Sequence, residues 1–218
     1  MTYLLRLVVP DRPGILGAVA TALGLAGIDI VTVDVLERGG GTAVDDIVVE
    51  LPEDRVVDSL ITAAVSVPGV HVESLRPFAG QLDTHRELDL LESLSRAGEG
   101  TAKLLAAELP RVFHSGWAVV LDAGPDAEVL AASDAAPSLA GVPLPWLPLT
   151  APVLLPSEGA WVPERWQALA VEMMASPVGP TTAVLLGRSG GPAFRRSELL
   201  RLTHLTGIAA TVARLPPA

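Results

Sequence analysis

Short apolar segments separated by glycine and proline turns constrain the fold of the first third of the chain most strongly. A run of apolar and β-branched residues predicts a strand at Thr2–Val9, which ends at the turn residues 10–14. Apolar residues at helical spacing then predict a helix at Ile15–Ala26, with Gly27 closing it. Two further strands, Ile28–Glu37 and Thr42–Leu51, form a predicted hairpin around three consecutive glycines.

A second helix and a fourth strand complete this unit. The helix opens at Pro52 and runs through Ala64, and the strand covers Val70–Arg76. The order β-α-β-β-α-β predicts a ferredoxin-like, four-stranded antiparallel sheet with two helices on one face. Its second strand lies at an edge, and the first helix is uncharged on every side. We therefore expect the edge and the helix to pack against a second copy, giving a homodimer.

The second half of the chain predicts an independent α+β unit. Four apolar segments are expected to form a mostly antiparallel sheet: Gly116–Asp122, Ala127–Ser133, Gln167–Ser176 and Thr181–Arg188. Helices are expected at both ends, at Thr84–Leu109, which Gly98 and Gly100 weaken or split, and at Arg195–Arg214. The proline-rich segment 135–157 is uncharged but cannot form a spanning helix, so it is predicted to be a loop.

Composition narrows the possible partners. Half of the residues are apolar, and the formal net charge is −10, which disfavours binding to nucleic acid or to an anionic membrane surface. There is no cysteine, which excludes disulfides and thiolate metal sites. We find no metal-binding histidine pair, phosphate-binding loop, signal peptide or membrane helix, and therefore expect a cytoplasmic protein without a cofactor.

The turn between the first strand and the first helix is the candidate ligand site. Gly14 allows a ligand to approach the backbone, and the helix-start amides near Gly14, Ile15 and Leu16 can bind a carboxylate. Asp11 can bind an ammonium group, and Ile28 can line an apolar side. The turn thus offers partners to both charged ends of an amino acid. The alternative is that Asp11 only caps the helix and Gly14 only turns the chain.

Residues 9–16, followed by Gly27–Ile30, resemble the ACT domain family, in which a D-x-P-G turn leads into a helix and then into a G-I-D-I strand start. The resemblance covers residues 1–78. It implies a regulatory module that binds small ligands, most often amino acids, between paired domains. Arg12 occupies the family's variable position. Asp29 either contacts ligand or partner or is simply solvated.

Residues 192–200, which follow two strands and lead into a long helix, resemble the closing pattern of a GAF domain. The resemblance implies a GAF-like domain at 87–218, joined to the first domain by a linker at 79–86. Two departures leave its ligand open. The chain has no cysteine for a bilin, and the residue set of cyclic-nucleotide GAF domains is missing.

These patterns predict a non-enzymatic, cytoplasmic regulatory protein that binds an amino acid as a homodimer and acts on an unidentified protein partner. One alternative is a regulatory subunit of a separate enzyme of amino-acid metabolism. Another is a small serine hydrolase, because 187–191 match G-x-S-x-G with Ser189 as the nucleophile. That alternative is disfavoured, since too few residues follow for an acid and a histidine on later strands, and His204 falls in the closing helix.

Overall fold

The computed structural model describes residues 1–78, 86–122 and 127–212. The chain divides into two compact units, Met1–Asp83 and Thr84–Ala218. The predicted linker at 79–86 lies outside the described residues except for Arg86, which begins a helix. The predicted turn at 123–126 and the last residues of the predicted closing helix also lie outside them.

The first unit has the predicted β-α-β-β-α-β order. Its elements are β1 Thr2–Pro10, α1 Ile15–Leu25, β2 Asp29–Gly39, β3 Thr42–Glu50, α2 Asp58–Val65 and β4 His71–Pro77. The strands form an antiparallel sheet in the order β2-β3-β1-β4, so that β2 lies at an edge. Residues of both helices pack into one core with alternate residues of β1 and β3, which places both helices on the same face. The predicted fold class is confirmed.

Helix α2 is shorter than the sequence predicts. The expected helix opened at Pro52, but the Arg55 amide donates to the Pro52 carbonyl at 3.1 Å in a separate turn, and α2 begins only at Asp58. Leu60, Ala63 and Ala64 are buried against the sheet. The buried residues of α2 thus all lie after this separate turn.

The second unit is also α+β. Its elements are α3 Arg86–Ala97, a 3₁₀ turn at Gly98–Gly100, α4 Thr101–Val112, β5 Trp117–Asp122, β6 Val129–Ala132, β7 Val153–Leu155, α5 Glu164–Ala168, β8 Val171–Pro177, β9 Thr182–Ser189 and α6 Arg196–Val212. The five strands are antiparallel in the order β6-β5-β9-β8-β7. The predicted split at Gly98 and Gly100 is confirmed, and Gly98 has a left-handed φ of 50°.

Two predictions in the second unit are wrong. The proline-rich segment is not loop throughout, because Val153–Leu155 forms β7 and pairs with the edge of β8 opposite β9. The predicted strand from Gln167 begins four residues too early, since Gln167 and Ala168 belong to α5. The side chain of Trp166 is buried, and this packing holds the short helix in place. Among the described residues, no helix has the length and apolar character needed to cross a bilayer.

Candidate functional site at the start of the first helix

The turn between β1 and α1 is held by the backbone and leaves open space beside Gly14. The Asp11 amide donates to the Gly41 carbonyl at 2.9 Å, which fixes the turn against the β2–β3 hairpin. Gly14 precedes α1 with φ 86° and ψ −8°, a left-handed backbone conformation that residues other than glycine rarely adopt. A Cβ placed on Gly14 would meet no atom of the described residues within 4 Å. The backbone here is therefore accessible to a ligand.

The amides at the start of α1 are largely unused. The Ile15 amide donates to the Arg12 carbonyl at 3.3 Å, and the Ala18 amide donates to the Gly14 carbonyl at 3.0 Å. Within the described part of the chain, the amides of Gly14, Leu16 and Gly17 donate no hydrogen bond. The first turn also has no acidic side chain to offset the positive end of the helix dipole. These amides can therefore bind a carboxylate.

Asp11 does not cap the helix. Its Oδ1 instead accepts hydrogen bonds from Nε and Nη2 of Arg38, at 3.1 and 2.5 Å, and no side chain caps α1. The hydrogen bond and the charge of Asp11 raise the pKa of Arg38. Because Arg38 is exposed, this ion pair is a weak contact that a ligand can open. Sequence reasoning did not include Arg38 in the site.

Asp45 is a second residue that the sequence analysis missed. In β3 it lies directly opposite Leu7 of β1 and Val35 of β2, and Leu7 belongs to the core beneath the helices. Its exposed fraction is only 1%, and neither carboxylate oxygen has a hydrogen-bond partner among the residues that the structure describes. Its neighbour Asp46 faces the other side of the sheet, where Arg6 Nε and Nη2 donate to it at 2.7 and 2.8 Å. Asp45 is therefore a buried acid without a partner on the helix side.

The electrostatic surroundings connect Asp45 to the turn. Burial raises the pKa of Asp45, the charge of Arg38 lowers it, and the charges of Asp46 and Asp11 raise it. The charges of Arg38 and Asp11 thus act on Asp45 in opposite directions. A sequence signal existed, because two adjacent acids in an apolar strand must point to opposite faces.

Three other predicted residues lie at the turn but differ in exposure. Arg12 is exposed, and Leu16 is partly exposed beside its unused amide. The side chain of Ile15 is buried in the core, and its amide bonds to Arg12. The structure thus brings Asp11, Gly14 and Leu16 together at one surface.

The remaining two predicted residues lie elsewhere in the unit. Ile28 is buried in the core, and Asp29 is exposed at the start of β2. Both follow the C-terminal end of α1, whose 11 residues separate them from Gly14 by about 16 Å along the helix axis. Within one chain the structure does not bring them to the turn, because the helix reverses the chain direction.

The G-x-S-x-G segment of the second unit has a packing explanation. A Cβ on Gly187 would lie 2.0 Å from the ring of Trp117, so only glycine fits against that tryptophan. Arg188 is buried and donates to the carboxylate of Glu198 at 2.8 Å. Ser189 is exposed at the end of β9, and His204 is exposed on α6. Within the described ranges, no hydrogen bond joins Ser189 to a histidine.

A cavity of about 660 Å³ lies in the second unit. Its lining is mostly apolar: Val119, Ala127, Val129, Ala132, Ala136–Val142 and Leu144. None of the four tryptophans lines it; Trp117 and Trp166 are buried in the core with ring centroids 5.6 Å apart. Among the residues that the structure describes, no group of three or more His, Asp or Glu side chains could hold a metal ion.

Comparison with known proteins assigns a family to part of the chain. Residues 3–69 match the ACT domain family. No curated protein matches the chain. A similar solved structure is a formyltetrahydrofolate deformylase from Pseudomonas putida KT2440, with 16% identity and a TM-score of 0.30 over 42% of this chain and 37% of that one. The chain thus spans little more than a third of the deformylase.

A second similar structure is an unknown protein from Galdieria sulphuraria. It shares 12% identity with a TM-score of 0.32, over 85% of this chain and 78% of that one. Both TM-scores are low, and neither likeness bears on what this chain does.

Proposed function

We propose, from the premise that residues 3–69 form an ACT domain, that this is a regulatory protein which binds an amino acid at the start of α1. The observation that carries the proposal is the open left-handed turn at Gly14 beside three unused amides. These amides bind the ligand's carboxylate, aided by the helix dipole. Acidic groups near the turn bind its ammonium.

The regulatory protein acts as a homodimer in this proposal. The edge strand β2 exposes Val33 and Val35, with exposed fractions of 42% and 50%. On α1, Leu25 is 85% exposed, and the helix has no charged residue. An unpaired edge beside an uncharged helix surface favours pairing with a second copy, because both would otherwise contact water.

The output of binding passes to a partner protein in the cytoplasm. An ACT domain regulates rather than catalyses, so we propose that the chain is not an enzyme. The second unit, which resembles a GAF domain in sequence, serves as a second sensory or dimerisation unit. In the alternative form of this proposal, the partner is a catalytic chain of amino-acid metabolism and the protein is its regulatory subunit. Co-purification from the source cell identifies the partner.

The ligand is tested by a thermal-shift screen of the proteinogenic L-amino acids, followed by calorimetry of each amino acid that raises Tm. A ligand that binds only the folded state stabilises it by about 2.7 kcal/mol at about one hundred times its Kd. Gly14→Ala is expected to weaken binding. Gly40→Ala is the matched control, because Gly40 also has a positive φ and open space around it but lies in the hairpin turn.

The outcomes of this screen are distinct. Binding that is lost in Gly14→Ala and kept in Gly40→Ala supports the site. Equal binding by wild type and a folded Gly14→Ala protein places the site elsewhere. If no amino acid changes Tm or gives heat with the wild-type protein, the proposed function is wrong.

A further inference from the structure

We propose that Asp45 is the residue that binds the cationic nitrogen of the ligand, while the amides at the start of α1 bind the ligand's carboxylate. This inference rests on the proposed function and names the residue that recognises the ligand's positive charge. It differs from the sequence-based expectation, in which Asp11 alone binds the ammonium group.

The burial of Asp45 without a partner is the first argument. A buried carboxylate is normally paired, because transfer of an unpaired charge out of water is costly. Here Asp46, the adjacent acid, follows that rule through its two bonds with Arg6. Asp45 is equally buried, yet both of its oxygens lack a hydrogen bond. Such an orphaned acid is explained if a donor arrives with the ligand.

The availability of Asp45 compared with Asp11 is the second argument. Asp11 is already bonded to Arg38, so a ligand ammonium must compete for it. Among the described residues, neither oxygen of Asp45 accepts such a hydrogen bond. It lies on the helix-facing side of the sheet, next to the half-exposed Val35 on the edge strand. A ligand can approach it from that edge once the exposed side chain of Arg38 moves aside.

The charges around Asp45 couple binding to a proton. Its surroundings contain Arg38 from β2, Asp11 from the end of β1 and Asp46 from β3, and α1 contributes no charged side chain. Burial raises the pKa of Asp45 and so favours its neutral form. When the ligand's ammonium binds, the carboxyl group gives up its proton to solvent and becomes the carboxylate partner. Binding therefore releases a proton wherever Asp45 is neutral beforehand.

The test compares amino acids with their α-hydroxy analogues in wild type and Asp45→Asn. The probes are L-alanine and L-lactate, L-serine and L-glycerate, and L-phenylalanine and L-phenyllactate, together with any other amino acid that raises the wild-type Tm. Each hydroxy acid keeps the carboxylate and lacks the nitrogen. Asp34→Asn is the matched control, because Asp34 is an exposed acid on β2 opposite Asp46, on the other side of the sheet.

The expected result is selective. Asp45→Asn should weaken amino-acid binding by about ten- to a hundredfold, since a hydrogen bond to a charged group contributes about 1.5–3 kcal/mol. The weak binding of the hydroxy acid should be unchanged by Asp45→Asn, and Asp34→Asn should behave as wild type. Below neutral pH, the wild-type binding heat should vary with the ionisation enthalpy of the buffer, and that of Asp45→Asn should not.

Other results overturn the inference. If the wild type binds an amino acid and Asp45→Asn binds it equally well, Asp45 is not a ligand residue although the proposed function stands. If the wild type binds no amino acid, the inference about Asp45 and the proposed function are both wrong. If Asp45→Asn does not fold, measurements on the wild-type protein test the inference. Equal affinity for an amino acid and its hydroxy analogue, without proton release, then refutes the inference.

Discussion

Replacement of Arg188 by methionine should destabilise the second unit more than any surface change. Arg188 is 1% exposed, and its guanidinium donates to the carbonyls of Phe113, His114 and Pro192, at 2.7, 3.3 and 3.0 Å. It also donates to Glu198 Oε1 at 2.8 Å. One side chain thus joins the end of α4, the loop after β9 and the first turn of α6.

The magnitude follows from what the substitution leaves behind. Glu198 is 4% exposed, and its Oε2 accepts a hydrogen bond from the Arg195 amide at 2.8 Å. Without Arg188, the Glu198 carboxylate stays buried and loses this ion pair. Removing one partner of a buried ion pair typically costs about 3–5 kcal/mol. We therefore expect Arg188→Met to lower the free energy of unfolding of this unit by about 4 kcal/mol.

The assay is urea denaturation followed by tryptophan fluorescence. All four tryptophans lie in the second unit, so the signal reports the unfolding of that unit alone. The double variant Arg188→Met with Glu198→Leu is the control, because removing both charges should restore part of the loss. The reasoning is refuted if Arg188→Met shifts stability by less than about 1 kcal/mol, or if the double variant is less stable than the single one.

Five further substitutions test other parts of the molecule. Gly187→Ala should lower the urea midpoint of the second unit by the equivalent of about 1–3 kcal/mol, because its Cβ overlaps a tryptophan ring. Gly14→Ala should lower stability by about 1–2 kcal/mol through its positive φ, whereas Gly24→Ala within α1 should raise it by about 0.5–1 kcal/mol, both by calorimetry. Asp45→Leu should raise the calorimetric Tm at neutral pH, by the equivalent of about 1–3 kcal/mol, since it removes an unsatisfied acid. Leu25→Glu should shift the proposed dimer towards monomer in light scattering.

The pH dependence gives the Asp45→Leu prediction a definite sign. Burial raises the folded pKa of Asp45 above its ordinary value of 3.8, so the folded state binds the proton more tightly than the unfolded state. Proton binding by Asp45 therefore stabilises the folded state fully below pH 3.8. This stabilisation is lost as the pH rises through the folded pKa. The gain from Asp45→Leu should grow from acidic to neutral pH. A gain that is constant with pH contradicts the raised pKa.

The other predictions also have contrary outcomes. Equal effects of alanine at Gly14 and Gly24 would contradict the left-handed turn. A Gly187→Ala protein as stable as wild type would mean that the ring moves without cost. Light scattering that shows only monomer for the wild-type protein at micromolar concentration would remove the proposed homodimer.

The sequence alone determined the features that depend on neighbouring residues. The order of the first unit followed from apolar periodicity and from turn residues that act over a few positions. The helix break at Gly98 belongs to the same class, because a glycine conformation is set by its local backbone. For this reason the fold class could be predicted before any contact was known.

Only the tertiary structure decided which distant residues share an environment. Strand β7 forms because β8 offers it an edge, and Gln167 belongs to a helix because Trp166 is buried. Asp45 and Asp46 are identical and adjacent, yet one is paired with Arg6 and the other is orphaned. Whether a side chain is buried and whether it has a hydrogen-bond partner depend on strand register and on residues far away in the chain. Local propensity encodes neither property.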